Sequence, residues 1–144
     1  MRVYRVTVGD GRDTEELVRA GAYGYAHSCL TSENFPVGRF DEKRIREIVF
    51  LEPDRPVTAA DVITLAAAHG LERPTYEDAL HFGIEHPHVQ LERPVIFLHE
   101  PWVGFFGRRD VLCLWSNAGR RELGLEGFDD SWPPVYGFAF VRPV

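Results

Sequence analysis

Residues 56–83, PVTAADVITLAAAHGLERPTYEDALHFG, decide the fold of this chain. The stretch predicts two helices, because each begins with a threonine that is followed three residues later by an aspartate, the pattern of a capping box. Thr58 and Asp61 mark the start of the first helix, and Thr75 and Asp78 mark the start of the second. The sequence therefore predicts a strand–helix–turn–helix unit.

The apolar residues within this unit repeat at helical spacing, which predicts that each helix has one buried face. Gly70 ends the first helix, since glycine is favoured just past a helix C-terminus. The inward-facing positions are Ala59, Val62, Ile63 and Ala66 in the first helix, and Tyr76, Ala79, Leu80, Gly83 and Ile84 in the second. Both helices therefore need a sheet, or each other, to pack against.

Strands are predicted before this unit. Tyr4, Val6 and Val8 alternate with polar residues, which is typical of a half-buried strand. The uninterrupted apolar run Ile48–Leu51 indicates a strand covered on both faces, and hence central in its sheet. A short helix is predicted to begin at Asp13 or Thr14, and residues 23–39 are predicted to form an irregular connection.

After residue 87 the sequence predicts only strands and turns. Val111–Trp115 and Arg121–Leu125 read as a hairpin joined through residues 116–119, and Trp115 is expected in the core. Val95–Leu98 and Val135–Val141 are further predicted strands. The fold class is therefore α+β, with residues 1–144 expected to form a single domain.

Composition restricts the function classes. The chain of 144 residues has a formal net charge of -6, which repels phosphate backbones and disfavours a nucleic-acid partner. No stretch reaches the ~20 apolar residues that a membrane span needs, so no membrane partner is expected. Cys29 and Cys113 lie among apolar neighbours and are interpreted as reduced thiols, which favours a cytoplasmic location.

The order of these elements resembles the C-type-lectin-like fold, in the branch that contains the formylglycine-generating enzymes and the variable proteins of diversity-generating retroelements. The residues that carry the resemblance are Pro56–Val57–Thr58, Gly70, Arg73–Pro74–Thr75 with Glu77, and the final Phe138–Val144. It implies two helices packed on a mostly antiparallel, twisted sheet. It also implies that loops between the late strands gather on one surface and form a ligand site.

Over its full length the chain resembles a set of small uncharacterised bacterial proteins. The shared pattern consists of Ser32–Pro36, Gly70–Thr75, Leu114–Trp115 and Phe128–Trp132. This resemblance implies a common fold and no particular reaction.

Aromatic residues in the late loops are the strongest functional signal. Trp102, Phe105, Phe106, Trp132 and Tyr136 lie in or beside segments rich in glycine and proline, close to arginine and aspartate. Exposed aromatic residues with charged neighbours are typical of binding hot spots. The alternative is that these rings anchor the loops to the core. The candidate binding residues are Trp102, Phe105, Arg108, Asp129, Asp130 and Trp132.

The leading hypothesis is a non-catalytic module that binds a protein or a small ligand, with an oligomeric state that the sequence leaves open. The alternative is a small hydrolase that uses His27 and Cys29, or the pair Asp129 and Asp130, for nucleophilic or acid–base chemistry. Cys113, within an apolar strand, is expected to be inert. A third hypothesis is an inhibitory or immunity-type protein whose acidic surface blocks a basic partner.

No metal or cofactor is predicted. His81, His86 and His88 cluster in sequence at the end of the second helix, but His81 and His86 are spaced for diverging faces of a helix. The same residues are typical of a helix C-terminus, where imidazoles interact with the terminal carbonyl groups.

Overall fold

The computed structural model describes residues 2–38 and 42–144. In this part of the chain there are four helices: α1 (Thr14–Ala20), α2 (Ala59–Ala68), α3 (Tyr76–Glu85) and α4 (Val89–Glu92). None of these described helices has the length and apolar character needed to cross a bilayer. The predicted helical unit is confirmed, because Thr58 and Asp61 form a capping box on α2, and Thr75 and Asp78 form one on α3.

Ten strands accompany the helices in the described residues, and most of them form one sheet. They are β1 (Val3–Val8), β2 (Tyr25–Ala26), β3 (Arg44–Leu51), β4 (Val57–Thr58), β5 (Val95–Phe97), β6 (Trp102–Val103), β7 (Arg109–Asn117), β8 (Arg120–Gly127), β9 (Ser131–Trp132) and β10 (Gly137–Arg142). The eight-stranded sheet has the order β1-β3-β10-β5-β7-β8-β2, with β6 also paired to β7, while β4 and β9 pair separately. The pairs β5–β10 and β2–β8 are parallel and the other pairs are antiparallel. The α+β class is therefore confirmed.

Two strand predictions are confirmed by this sheet. Strand β3 lies between β1 and β10, and its apolar run from Ile48 to Leu51 is buried. Strands β7 and β8 form the predicted hairpin. Its turn has Ala118 at φ 52° and Gly119 at φ 82°, the two positive values of a type I′ turn, which matches the twist of the flanking strands.

The two capped helices pack on opposite faces of the sheet, because neighbouring residues of each strand point to opposite sides. Phe82 of α3 is buried in one cluster with Phe97 of β5. Val62 of α2 is buried in the other cluster with Phe138 of β10. Between the helices, Glu72 exchanges two backbone hydrogen bonds with Val141 of β10, so the connection passes along the sheet.

Three local predictions are wrong. The segment after residue 87 contains the short helix α4, and Trp132 lies in strand β9 rather than in a loop. The connection predicted over residues 23–39 contains strand β2, and its last residue lies outside the described residues. These elements are only two to four residues long, which is too short for a periodic sequence pattern. They form because they pair or pack with segments that are distant in sequence.

A largely buried ion pair joins α3 to strand β3. Arg46 of β3 donates from Nε and from a terminal nitrogen to the two carboxylate oxygens of Asp78, both over 3.0 Å. Asp78 is fully buried and also accepts from the backbone N–H of Thr75 over 2.8 Å. The hydrogen bond with Asp78 raises the pKa of Arg46. One carboxylate therefore caps α3 and joins it to the sheet.

A second arginine, Arg121, joins helix ends by donating to neutral oxygen atoms. Arg121 of β8 donates to the carbonyl oxygens of Gly21 and Gly83, which lie at the C-terminal ends of α1 and α3. It also donates to the side chain of Gln90 on α4, and it stacks over the ring of Tyr23 at 4.6 Å. Helix C-termini carry partial negative charge, which suits a guanidinium group.

Candidate binding surface

The hairpin formed by β6 and β7 ends in the turn Gly104–Phe105–Phe106–Gly107, called here the Phe turn. Phe106 has φ 65° and Gly107 has φ 74°. A phenylalanine in this left-handed region is strained by about 1 kcal/mol or more. Backbone hydrogen bonds hold the turn, from the N–H of Gly104 to the carbonyl oxygen of Arg108 over 3.0 Å and from the N–H of Gly107 to that of Gly104 over 3.3 Å. A Cβ atom at Gly104 would lie 2.9 Å from the ring of Trp102, so glycine is needed for Trp102 to pack here.

The Phe turn projects apolar side chains into solvent. Phe105 is 88% exposed, Phe106 is fully exposed and Val103 is 59% exposed. Trp102 at the base of the turn is half-buried, and its ring packs against Phe35 with the centroids 5.4 Å apart. Adjacent exposed apolar side chains on a held turn are typical of interaction sites.

A hollow of about 270 Å³ lies at the foot of the Phe turn. Its lining residues are Asn34, Trp102, Val103, Gly104 and Phe105. Asn34 donates from its side chain to the carbonyl oxygen of Cys29 over 3.0 Å, which holds this wall in place. The surface therefore combines a convex apolar tip with a small concavity beside it.

Charged pairs border the Phe turn. Arg108 donates to Asp110 over 2.6 Å. Arg109 makes a two-pronged contact with Asp129, and these hydrogen bonds lower the pKa of Asp129. The Arg109 guanidinium also stacks on the ring of Phe128 at 4.9 Å. Both arginines are thus oriented by acids of the same chain.

The structure gathers five of the six predicted binding residues at one end of the β7–β8 hairpin. Trp102 pairs with Asp110 of β7, and Val103 pairs with Arg109, which in turn accepts a backbone hydrogen bond from Phe128. These contacts bring the Phe turn and the segment after β8 side by side. The gathered residues are Trp102, Phe105, Arg108, Asp129 and Asp130.

Trp132 does not belong to this surface. It is 3% exposed, and its ring lies 5.7 Å from Phe138 in the core beneath α2. The reason is that β9 pairs with β4, which draws the indole under the helix. Trp115, expected in the core, is 36% exposed. The burial predicted for these two tryptophans is therefore reversed: Trp132 is a core residue and Trp115 is partly exposed.

Val103 and Asn34 were not predicted at this surface. Val103 lies within the predicted aromatic loop, but it is aliphatic and the prediction rested on the aromatic and charged residues beside it. Asn34 comes from the segment before β3, far from the Phe turn in sequence. The sequence does contain a signal for this surface, the phenylalanine pair between Gly104 and Gly107. Glycines at both ends of an apolar pair predict a tight turn, and a tight turn leaves the two side chains exposed.

The geometry lends no support to the hydrolase alternative. The backbone N–H of Cys29 donates to Nδ1 of His27 over 3.1 Å, so the lone pair that a general base would use is engaged by the backbone. Asp129 is bound to Arg109, whereas the carboxylate of Asp130 lies beside Gly127. The two aspartates therefore have different neighbours and do not form a carboxylate pair.

The histidines at the end of α3 lie in three different environments. His81 is buried, His86 contacts the carbonyl oxygen of Arg5 over 2.8 Å, and His88 is exposed. Across residues 2–38 and 42–144, no three histidine, cysteine, aspartate or glutamate side chains are placed to hold a metal ion. Both cysteines are free, and burial raises the pKa of Cys113, which fits an unreactive thiol.

His99 is a buried histidine with a structural role. Nε2 accepts from the backbone N–H of Leu112 over 3.0 Å, and Nδ1 contacts the carbonyl oxygen of Glu100 over 2.7 Å. These contacts require the neutral ring with its proton on Nδ1. Burial lowers the pKa of His99 from 6.5 to about 4.

This pKa predicts acid sensitivity. The unfolded chain takes up a proton at His99 before the folded chain does, so the free energy of unfolding falls as the pH drops from 6.5 to about 4. The expected loss is about 3 kcal/mol, since each unit of pKa difference corresponds to about 1.4 kcal/mol. Urea titrations at several pH values measure it. His99→Gln, which cannot titrate, is the control, and equal pH slopes in the two proteins would contradict the assignment.

Comparisons of the chain with protein-family models, with curated proteins and with solved structures find no match.

Proposed function

We propose that this chain is a non-catalytic binding module that recognises a partner protein through the Phe turn. The observation that carries the proposal is the exposure of Phe105 and Phe106 side by side on a turn closed by backbone hydrogen bonds. Aromatic residues are enriched in the buried centres of protein interfaces, where few side chains supply most of the affinity. A held turn also loses little conformational entropy on binding.

A protein fits this surface better than a small molecule. The hollow beside the turn holds about 270 Å³, below the roughly 300–1,000 Å³ of typical small-molecule sites. Phe106, the fully exposed ring of the turn, lies on the convex tip and does not line the hollow. A convex apolar tip fits a cleft on a partner, and the paired charges of Arg108 and Arg109 provide a polar rim around it.

We also propose that the fold is C-type-lectin-like. Strands β1 and β10, from the two ends of the chain, lie in one sheet and are both bonded to β3. The capped helices α2 and α3 lie between them in sequence, and the segments flanking β7 and β8 meet at one end of the sheet. These features support the arrangement that the sequence resemblance implies.

The variant Phe105→Ser/Phe106→Ser tests the binding proposal. It is expected to weaken partner binding by roughly 30-fold or more, because truncating an aromatic hot spot costs about 2 kcal/mol or more. The immobilised wild-type chain is used for capture from a lysate of the source cells, with quantitative mass spectrometry. The captured protein is then purified, and its Kd is measured against both forms.

The matched control is Ile45→Ser/Leu91→Ser. It also replaces two exposed apolar residues, which are 58% and 47% exposed and lie on β3 and α4. The control is expected to bind like the wild type. Equal Kd values for the wild type and the Phe-turn variant would refute the proposed site, as would the absence of any protein retained above the level of the variant.

A further inference from the structure

Strand β1 is the last strand on its side of the sheet among the described residues. Its other side pairs antiparallel with β3, with Arg5 opposite Glu47 and Thr7 opposite Ile45. In such a pair the backbone groups of alternate residues point away from the partner strand. An end strand therefore presents N–H and C=O groups to which another strand can bind.

Side chains of α3 occupy these outward groups. The N–H of Thr7 donates to Glu85 over 3.0 Å, and the N–H of Gly9 donates to Glu77 over 2.8 Å. The carbonyl oxygen of Arg5 lies 2.8 Å from Nε2 of His86, which donates to it in the Nε2–H tautomer. The three backbone groups are those that an adjacent strand would use, and each has a side chain in place of a strand.

The nearby His81 ring does not compete with the strand for the carboxylates of Glu77 and Glu85. His81 lies between the two glutamates, at 3.7 Å from Glu77 and 3.9 Å from Glu85, and both distances are too long for hydrogen bonds. The carboxylates are therefore directed to the strand. We call Glu77, Glu85 and His86 the edge guards.

We propose that β1 is a latent pairing edge for a second copy of this chain, and that the edge guards hold it closed. A second copy pairing antiparallel about Thr7 places Arg5 of each chain opposite Gly9 of the other, next to Asp10. The Arg5 side chain is 74% exposed and lies 3.6 Å from Glu47 of its own chain, and in such a pair it comes beside the Asp10–Arg12 ion pair of the second copy. The edge thus complements itself in backbone hydrogen bonding, because residues 5, 7 and 9 of one copy meet residues 9, 7 and 5 of the other.

The surface next to this edge also suits a second copy. Val3 and Ile45 are 39% and 58% exposed on the side of the sheet away from α3. A hollow of about 480 Å³ lined by Thr7, Ile45 and Val144, with Lys43 and Arg44, adjoins them. Pairing through β1 would extend the sheet and cover part of this apolar surface.

The variant Glu85→Met/His86→Leu removes two edge guards and keeps Glu77. It leaves the Thr7 N–H and the Arg5 carbonyl without their side-chain partners. We expect self-association at least about ten-fold tighter than that of the wild type, as measured by sedimentation velocity over a concentration series. Hydrogen exchange is expected to show protection of the Thr7 amide that rises with protein concentration.

The matched control is His88→Leu/Glu100→Met, which makes the same two changes on exposed residues away from β1. It is expected to stay monomeric like the wild type. Adding Thr7→Pro to the edge-guard variant removes the central N–H and should abolish the association. If circular dichroism shows that the edge-guard variant is unfolded, the single variant Glu85→Lys is used in its place. It removes the carboxylate that accepts from the Thr7 N–H and keeps the surface polar.

Three results would overturn the proposal. One is a folded edge-guard variant that stays monomeric at every concentration at which the control is soluble. Another is association that persists unchanged with Thr7→Pro. The last is a wild-type chain that already pairs through β1, because the edge guards would then hold nothing closed.

Discussion

Replacing Asp78 with alanine is expected to lower the free energy of unfolding by about 3–5 kcal/mol, the usual cost of removing one partner of a buried ion pair. Asp78 is fully buried, and its carboxylate accepts two hydrogen bonds from Arg46 and one from the backbone of Thr75. The alanine variant leaves the Arg46 guanidinium, whose side chain is 16% exposed, without the carboxylate to which it is hydrogen-bonded. Urea denaturation followed by circular dichroism measures the loss.

The capping box of α2 provides the matched control. Asp61 occupies the same position of its helix and accepts from the N–H of Thr58 over 3.1 Å, but it is exposed. Asp61→Ala is expected to cost about 0.3–1 kcal/mol. The double variant Arg46→Met/Asp78→Ala should be more stable than Asp78→Ala, since it removes the unpaired charge. Equal losses for Asp78→Ala and Asp61→Ala would show that the ion pair contributes little.

Trp132→Ala is expected to cost about 3–5 kcal/mol, the range for truncating a buried tryptophan. The indole is 3% exposed and fills the space between β4 and Phe138. Removing it opens a cavity beneath α2, which cannot close without moving the helix. The thermal unfolding midpoint should fall sharply, while association through the Phe turn in the folded variant should be unchanged.

Two further variants test whether the stability loss of Trp132→Ala comes from the lost packing of its ring. Trp132→Phe should cost much less than the alanine variant, because it keeps an aromatic ring and removes an indole N–H that has no hydrogen-bond partner among the described residues. Trp115→Ala, at a tryptophan that is 36% exposed, should change stability by about 1 kcal/mol or less. A Trp115→Ala variant less stable than Trp132→Ala would reverse the assignment.

Local signals predicted the helical unit and the main strands. The capping boxes of Thr58 and Thr75 form between residues three positions apart, so the sequence contains everything needed to recognise them. The apolar run from Ile48 to Leu51 predicted a central strand because both of its faces must be covered. The placement of α2 and α3 on opposite faces was not predicted, since it depends on the pairing of Glu72 with Val141.

The tryptophans show the same limit at the candidate site. Val111, Cys113 and Trp115 are alternate residues of β7 and share one face of the strand. Val111 and Cys113 are buried in the cluster beneath α2, whereas Trp115 lies beyond the helix and is partly exposed. Burial on this face therefore depends on the length of α2, which the strand pattern does not indicate. Trp132 depends on the pairing of β9 with β4, which no local pattern indicates. Phe105 was predicted because its glycine-bounded turn is encoded within a few residues.

Arg121 links three segments of this chain through a single side chain. Its one guanidinium joins Gly21, a hundred positions away in sequence, to Gly83 and Gln90, so three separate segments depend on a single side chain. Local opening at any one of them weakens the hold on the other two. The helices that end there should therefore open and close together, and this face of the molecule should behave as one cooperative block although its parts are scattered along the sequence.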